Sequence, residues 1–423
     1  MDAKRKSYLV KPIAALFVIS LVVLIGMFYR PSSNAHAGLL PRAECGESQA
    51  ICGSLVSDMR ELRDPKYGFV RAGLPRYTEP FGRDSLIVAW QLLGYDSSIA
   101  KDTLLFWAKR QGKKFGLRGE QPGKIPHWTN PESKKSSVYY SADATPLYVF
   151  VAGEYLKKTG DKALLGVLWT NITDALSWCE HSGHVNQDLF IEYRPIRDKN
   201  DGMVHQGWKD GNSDHLHITP PVALVEIQGY YYAALMSGAE IARALGHEAE
   251  AREYSVRARD LQREFLEKFW IPDAHAFAFA IDGKGMKDER IVSNMGQLLF
   301  TGILDDEPDK RDAVVARMFS PDMWTKYGIR TGATTNWDFD PYLYHQGTVW
   351  PHDNWIIAQG LKRYGYDDKY EAVKAAQVRA FRSLRGIPEL YTVERSGKLK
   401  PWTRACMPQG WASAGLLEFL IKK

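Results

Sequence analysis

The sequence predicts an all-α chain folded as an (α/α)6 toroid, six helical hairpins closed into a ring, behind an N-terminal apolar signal or anchor segment. Three observations carry this. The apolar periodicity is mostly helical. Six helix starts bear unusual polar or aromatic residues, and a plainer helix can be read before each. Strand-like runs are few and short, such as that around 277–281.

Residues 12–28 are an apolar run behind Lys4, Arg5, Lys6 and Lys11. The run is short for a bilayer span and long for a signal-peptide core, and an A-x-A pattern follows at Ala35-His36-Ala37. Two readings of residues 1–37 stay open: a cleaved secretory signal, or an uncleaved anchor that keeps the chain on the membrane. In both, the basic flank directs the C-terminal bulk out of the cytoplasm, as a periplasmic, secreted or membrane-anchored domain. Residues 38–423 hold no long linker, charge block or low-complexity tract, and are expected to form a single domain.

Within that domain the motif-bearing helix starts fall near Asp84 (PFGRDSL), Ser141 (YYSADATP), Pro220 (after GWKDGNSD), Asn294 (SNMGQ), Pro351 (TVWPHDN) and Pro408 (CMPQGW). Their spacing, roughly 55 to 80 residues, holds two helices and two loops. The plainer helices are expected over 48–62, 98–110, 161–181, 248–269, 308–318 and 367–384. The third motif-bearing helix shows the pattern well: Leu224, Ile227, Tyr231, Leu235, Gly238, Ile241 and Leu245 recur at a spacing of three to four. Thr219 is its expected N-cap, Pro220 lies in its first turn and Gly246 closes it. Its partner repeats the period with Tyr254, Ala258, Leu261, Phe265 and Phe269. With the inner helices parallel, all six motif-bearing N-termini gather at one end of the ring.

Composition narrows the function. At 45% hydrophobic and 25% charged the chain is neither disordered nor a disulfide scaffold. The formal net charge is +5, and four basic residues sit in the first eleven, so no nucleic-acid surface is expected. Cys45 and Cys52 lie close enough in sequence to pair in an oxidising compartment. Neither CxxC nor HExxH occurs, and no metal or organic cofactor is expected. DKNDG (198–202) lacks the third acidic position and closing Glu of a calcium loop. NIT (171–173) is a glycosylation sequon only in a source that glycosylates exported proteins.

The 13 Trp and 21 Tyr are the unusual figure. Trp208, Trp350, Trp355, Trp402 and Trp411 fall in motif segments beside acids, where aromatic faces would cover the C–H faces of a neutral sugar. GWKDGNSD places Asp210 and Asp214 beside Trp208 and Lys209. A carboxyl against an indole is suited to proton donation, and an Asx turn or helix cap would also explain it. IPELY sets Glu389 among apolar neighbours. Arg83 and Asp84 have a structural account as an N-cap and its partner. His345, Gln346, Trp350, His352, Asp353 and Asn354 crowd one helix start, the histidines at no metal-ligand spacing.

Taken together, PFGRDSLIVAWQLLGYD, RGEQPGKIPHW, YYSADATPLYVFVAGEYLKKTGD, HQGWKDGNSD, PPVALVEIQGYYYAAL, SNMGQ, YHQGTVWPHDNWIIAQGLKRYG, IPELY and ACMPQGWASA resemble the six-hairpin glycosidases. The nearest resemblance is to the amylo-α-1,6-glucosidase domain of glycogen debranching enzymes; trehalase, glucoamylase and mannosylglycerate hydrolase relatives share the superfamily. The resemblance runs from about Pro80 to Ala414. It implies an (α/α)6 catalytic domain and inverting hydrolysis of an α-linked, α-glucosidic saccharide, with Asp210 as general acid and Glu389 as general base. Arg83 and Asp84 would contact the terminal sugar. Trp208, Lys209, Glu226, Gln228, Gln346, Trp350 and Trp411 would line the pocket. The β-rich domain common before such toroids is not expected in the stretch between the apolar run and PFGRDS, and Gly211 stands where relatives commonly carry Ser. Two other classes remain open at this point: a non-catalytic glycan-binding toroid, and a polysaccharide lyase on a similar ring.

Overall fold

The computed structural model describes residues 40–186, 188–196, 202–210 and 219–422. The apolar run 12–28, Ala35-His36-Ala37, Gly211, Asp214 and most of DKNDG lie outside the described residues. Among the described residues no helix is long and apolar enough to cross a membrane.

The chain is predominantly helical, and its helices alternate in character. The outer members are α1 (Gln49–Leu62), α3 (Ser97–Ala108), α5 (Lys162–Ser177), α7 (Glu248–Phe269), α9 (Pro308–Met318) and α11 (Asp367–Leu384). Each buries one stripe: in α7 the stripe is Ala251, Tyr254, Ala258, Leu261, Phe265 and Phe269, at helical spacing. The inner members are α2 (Gly82–Gln91), α4 (Ala144–Thr159), α6 (Val225–Leu245), α8 (Leu298–Thr301), α10 (Pro351–Arg363) and α12 (Gly410–Leu420). They are buried nearly all round, as helices with neighbours on every side must be. Local chemistry sets the ends. The Asp161 side chain accepts from the Leu164 amide at 3.0 Å to start α5. Left-handed Gly246 at φ 85° ends α6.

Packing closes the ring. Helix α2 packs on α4, α4 on α6, α6 on α8 and the 3₁₀ turn Ser293–Gln297 before it, α8 on α10, α10 on α12, and α12 back on α2. The outer helices cover the seams: α3 lies on α2 and α4, α5 on α4 and α6, and α11 on α10 and α12. Short antiparallel pairs decorate the loops, among them β1 (Trp128–Asn130) with β2 (Ser133–Val138), and β3 (Val222–Leu224) with β6 (Ala280–Asp282).

Two details depart from the sequence reading. Thr219 does not cap α6. Pro220 precedes Pro221, which disfavours helix at Pro220, so the chain runs extended through β3 and the helix begins at Val225. The fourth inner segment is short: the 3₁₀ turn Ser293–Gln297 leads into α8, which Gly302 at φ 85° ends after four residues. Cys45 and Cys52 form a disulfide that ties the approach to α1. The sequon's Asn171 is half-buried, and its amide donates to Ala108 O and Gln111 Oε1.

Gly360 lets α10 approach α8 closely: a Cβ there would stand 2.2 Å from Leu299 Cβ and 2.6 Å from its carbonyl carbon. Backbone cannot yield as a flexible side chain can. Gly360→Ala is expected to destabilise the fold by about 1–3 kcal/mol, read from the midpoint of urea unfolding.

Candidate active site

The N-terminal ends of the inner helices surround a cavity of about 280 Å³. Arg83 and Asp84 reach it from the first turn of α2, Trp350 from the N-cap of α10, and Trp411 from the first turn of α12. Trp208 and Asp210 reach it from the loop before β3, and Glu389 from the segment before β10 (Tyr391–Val393). Asp210 and Glu389, far apart in the chain, face one space.

Asp210 is held by Arg83. The guanidinium donates from Nη1 to Asp210 Oδ2 at 2.8 Å, from Nε to Asp143 Oδ2 at 2.6 Å, and from Nη2 to the Gly207 carbonyl at 2.7 Å. The Arg83 side chain is only 2% exposed, whereas that of Asp210 keeps 25% exposure at the cavity. Burial alone would lower the Arg83 pKa, but Asp143, Asp210 and Asp84 together raise it above its ordinary value. Ser141 Oγ accepts from the Ala144 amide at 3.2 Å and so caps α4, which leaves Asp143 to serve Arg83. His127 Nε2 stands 4.0 Å from Asp210 Oδ2. Burial, reinforced by Arg83, lowers the His127 pKa to about 3, so this ring is neutral near pH 7.

Glu389 has a separate anchor. Its backbone amide donates to the Cys406 carbonyl at 3.0 Å, and its Oε2 accepts from the Cys406 amide at 3.1 Å. Its Oε1 accepts from the Tyr344 hydroxyl. Burial raises the Glu389 pKa, the Tyr344 and Cys406 donors pull it back, and the Asp210 charge pushes it up again. Asp84 completes a trio of carboxyls; burial raises its pKa to about 7, against the pull of Arg83 and with the push of Asp210 and Glu389.

An aromatic layer closes the space around these acids. Trp208 meets Trp350 edge-on at 5.6 Å, and His352 stacks under Trp411 at 3.7 Å. Buried indole N–H groups of Trp208 and Trp411 have no acceptor among the described residues. They are donors available to a hydroxylated ligand.

Four residues expected to line the pocket do not. Lys209 turns away from its neighbour Asp210, and its ammonium donates to the Thr331 carbonyl at 2.6 Å. Burial brings its pKa down to about 8, against the opposing charges of Asp353 and Glu226. Glu226 is fully buried behind the floor: a Cβ on Gly207 would stand 3.0 Å from its Oε1. Burial raises its pKa to about 7, against the pull of the Asn294 side chain. Gln228 spends its amide on backbone, accepting from Ile191 N and donating to Ile191 O and Leu224 O. Gln346 donates to Asp338, an acid that also pairs with Arg290. Lys209, Gln228 and Gln346 are taken up by the scaffold that carries the cavity, while both carboxyl oxygens of Glu226 are buried without a hydrogen-bond partner among the described residues.

Other residues at the site were not singled out from sequence. His127, Trp128, Tyr77 and Tyr344 line the cavity, and Asp143 anchors Arg83. The strings IPHW, YYSADATP and YHQG contained four of them, His127, Trp128, Asp143 and Tyr344. Among the described residues no group of three His, Cys, Asp or Glu could hold a metal ion.

A helical ring with paired carboxyls and indoles around one cavity is the arrangement of a glycoside hydrolase, and that is the class of this protein. The family model for the mannosylglycerate hydrolase MGH1-like glycoside hydrolase domain matches residues 80–400, and the chain belongs to that family of six-hairpin glycosidases. The match is to this branch of the superfamily rather than to the debranching-enzyme domain. A mannosylglycerate hydrolase of Rubrobacter radiotolerans is 27% identical over 150 residues, which span about a third of each chain (34% of this one, 33% of that one). The GH63 mannosylglycerate hydrolase of Thermus thermophilus shares the fold. Its complex with Tris and D-glycerate aligns at TM-score 0.66 and 16% identity, covering 87% of this chain and 99% of that one. Its glucose complex aligns at TM-score 0.64 and 17% identity, with the same coverage.

Asp143→Ala removes one acceptor from a guanidinium that stays buried. The expected cost is about 3–5 kcal/mol in denaturant unfolding, with a smaller loss for Asp143→Asn, which keeps an acceptor.

Proposed function

We propose that this chain hydrolyses a small α-linked hexoside with inversion, the substrate class being mannosylglycerate or its α-glucosyl counterpart. The observation that carries the reading is the convergence of Asp210 and Glu389, each separately anchored, on one cavity. Asp210 is the general acid and protonates the leaving oxygen. Glu389 is the general base and draws a proton from the water that attacks the anomeric carbon on the opposite face. Asp84, Arg83 and the unpaired indole N–H groups of Trp208 and Trp411 fix the hydroxyls of the hexosyl ring. The cavity, about 280 Å³, falls just below the roughly 300–1,000 Å³ usual for ligand sites, which favours a short glycoside over a polymer. The names of the relatives supply the glycerate aglycone, and the resemblance read from sequence supplies the α-linkage.

We also propose that the domain works outside the cytoplasm. The apolar run 12–28 with its Ala35-His36-Ala37 pattern supports this, as does the Cys45–Cys52 disulfide, a bond that persists in oxidising compartments.

The test is a panel of mannosylglycerate, glucosylglycerate, maltose and isomaltose, followed by release of hexose. Turnover is expected on at least one glycerate glycoside. Asp210→Asn and Glu389→Gln should each lower kcat/KM by about 10²–10⁴-fold. Full activity in either variant removes that residue from its role, and no turnover on any member defeats the reading.

Glu389 must be ionised to act as base, so its raised pKa sets the acid limb of the pH–rate profile above the ordinary carboxylate range. The Tyr344 hydroxyl stabilises the ionised form. Tyr344→Phe is therefore expected to move the acid limb of kcat/KM to higher pH, leaving the profile's height above the limb less affected.

A further inference from the structure

The far end of the ring carries a second concavity, remote from the helix N-termini that frame the catalytic cavity. Trp90, in the last turn of α2, meets Phe150 of α4 at 4.8 Å, Phe300 of α8 at 4.8 Å and Trp355 of α10 at 4.7 Å. This aromatic plug closes the ring's interior. Against its outer face lie a cavity of about 260 Å³ and an adjoining one of about 670 Å³, which share Trp90, Glu154, Lys157 and Gln359 in their walls.

The walls are unusual in their unused hydrogen-bonding capacity. The Trp90 indole N–H, the Tyr232 hydroxyl and the Ser237 hydroxyl all belong to residues lining the smaller cavity, and none bonds to a protein group among the described residues. On the rim, the Lys157 ammonium bridges Glu154 Oε1 at 3.1 Å and Glu240 Oε2 at 3.2 Å, which leaves the second oxygen of each carboxylate without a bond. Across the two adjoining cavities four acids, Glu154, Glu240, Asp305 and Glu418, face four bases, Lys157, Lys158, Arg363 and Lys422, so no net charge selects the ligand. An indole platform, three donors and two carboxylate oxygens around a space of hexose size match a neutral polyol better than an ion or an apolar ligand.

We propose that this cavity is a second saccharide site, which takes a neutral hexose or hexoside against Trp90 with its hydroxyls on Tyr232, Ser237 and Glu154. The site lies at the other end of the ring from Asp210 and Glu389 and takes no part in hydrolysis. It gives the protein a sugar contact that persists while the catalytic cavity turns over.

The proposal is tested by calorimetric titration of the full chain carrying Asp210→Asn with methyl α-D-mannopyranoside and methyl α-D-glucopyranoside. Two binding sites are expected for at least one probe. Adding Tyr232→Phe or Trp90→Phe should weaken one of the two steps by about fivefold or more, the share of one lost hydrogen bond, and leave the other step unchanged. The same two substitutions in the otherwise unaltered enzyme should leave kcat within twofold of its starting value, roughly the scatter of such comparisons. If Trp90→Phe fails to fold, Tyr232→Phe, which removes one oxygen from the wall, carries the test alone. A single site that both variants leave unaltered, or no binding of either probe, overturns the proposal.

Discussion

The Arg83 guanidinium donates to three acceptors from two other parts of the chain: Asp143 at the start of α4, and the 202–210 loop through the Gly207 carbonyl and Asp210 beside the cavity. Taking such an ion out of water costs several kcal/mol, and only full pairing offsets it. Two carboxylates and a carbonyl supply that pairing, so α2, α4 and the 202–210 loop must come together for any one of them to be stable where it is. The interaction therefore positions Asp210 as a consequence of closing the ring. Of the three acceptors only Asp210 keeps part of its surface in the cavity, where a substrate would meet it.

The rest of the site follows the same logic of polar groups held by the scaffold. Glu389 is fixed by its two bonds with the Cys406 backbone and by Tyr344, without using Arg83. The two acids thus have independent supports and different environments: one tied to a cation and part-exposed, the other buried with hydroxyl and amide donors. Beneath the floor lies a second polar layer, in which backbone takes up Lys209 and Gln228 and Gln297 takes up Asp353 Oδ1, while the Glu226 carboxyl is buried without a hydrogen-bond partner among the described residues. Gln297 donates to Asp353 at 2.5 Å, and Lys209 holds Thr331. That layer carries Trp208 and the α10 start without reaching the ligand space.

Much of this was legible in the chain. The outer stripe of α7 and the positions of α1, α5, α9 and α11 follow from apolar period and composition, because one-sided burial leaves a clear pattern. Trp208, Trp350 and Trp411 stand out as aromatic residues in motif segments at helix mouths, whereas the cavity-lining places of Arg83, Asp84, Asp210 and Glu389 are what the resemblance to six-hairpin glycosidases implies. What was not legible was orientation. Lys209 and Asp210 are neighbours in sequence, yet one faces the floor and the other the cavity. Gln228 and Gln346 carry the right chemistry, but Ile191, distant in sequence, and Asp338, eight residues before Gln346, take it up. Asp143 was not singled out in the chain; it holds the N-cap position of α4, but its side chain serves Arg83 while Ser141 Oγ accepts from the Ala144 amide. The start of α6 was misplaced because Pro221 disfavours helix at Pro220, and this, together with β3 pairing to β6, outweighed the helical period.

The central claim is that Asp210 and Glu389 act on opposite faces of one anomeric carbon. It is tested most directly by proton NMR of the first product formed from an α-linked substrate, recorded before mutarotation. Inverting hydrolysis predicts that the β-anomer of the released hexose appears first and the α-anomer grows in only as the two equilibrate. Initial release of the α-anomer would contradict the account, since it requires a covalent intermediate and a carboxyl pair about 5–5.5 Å apart with no room for the water between them.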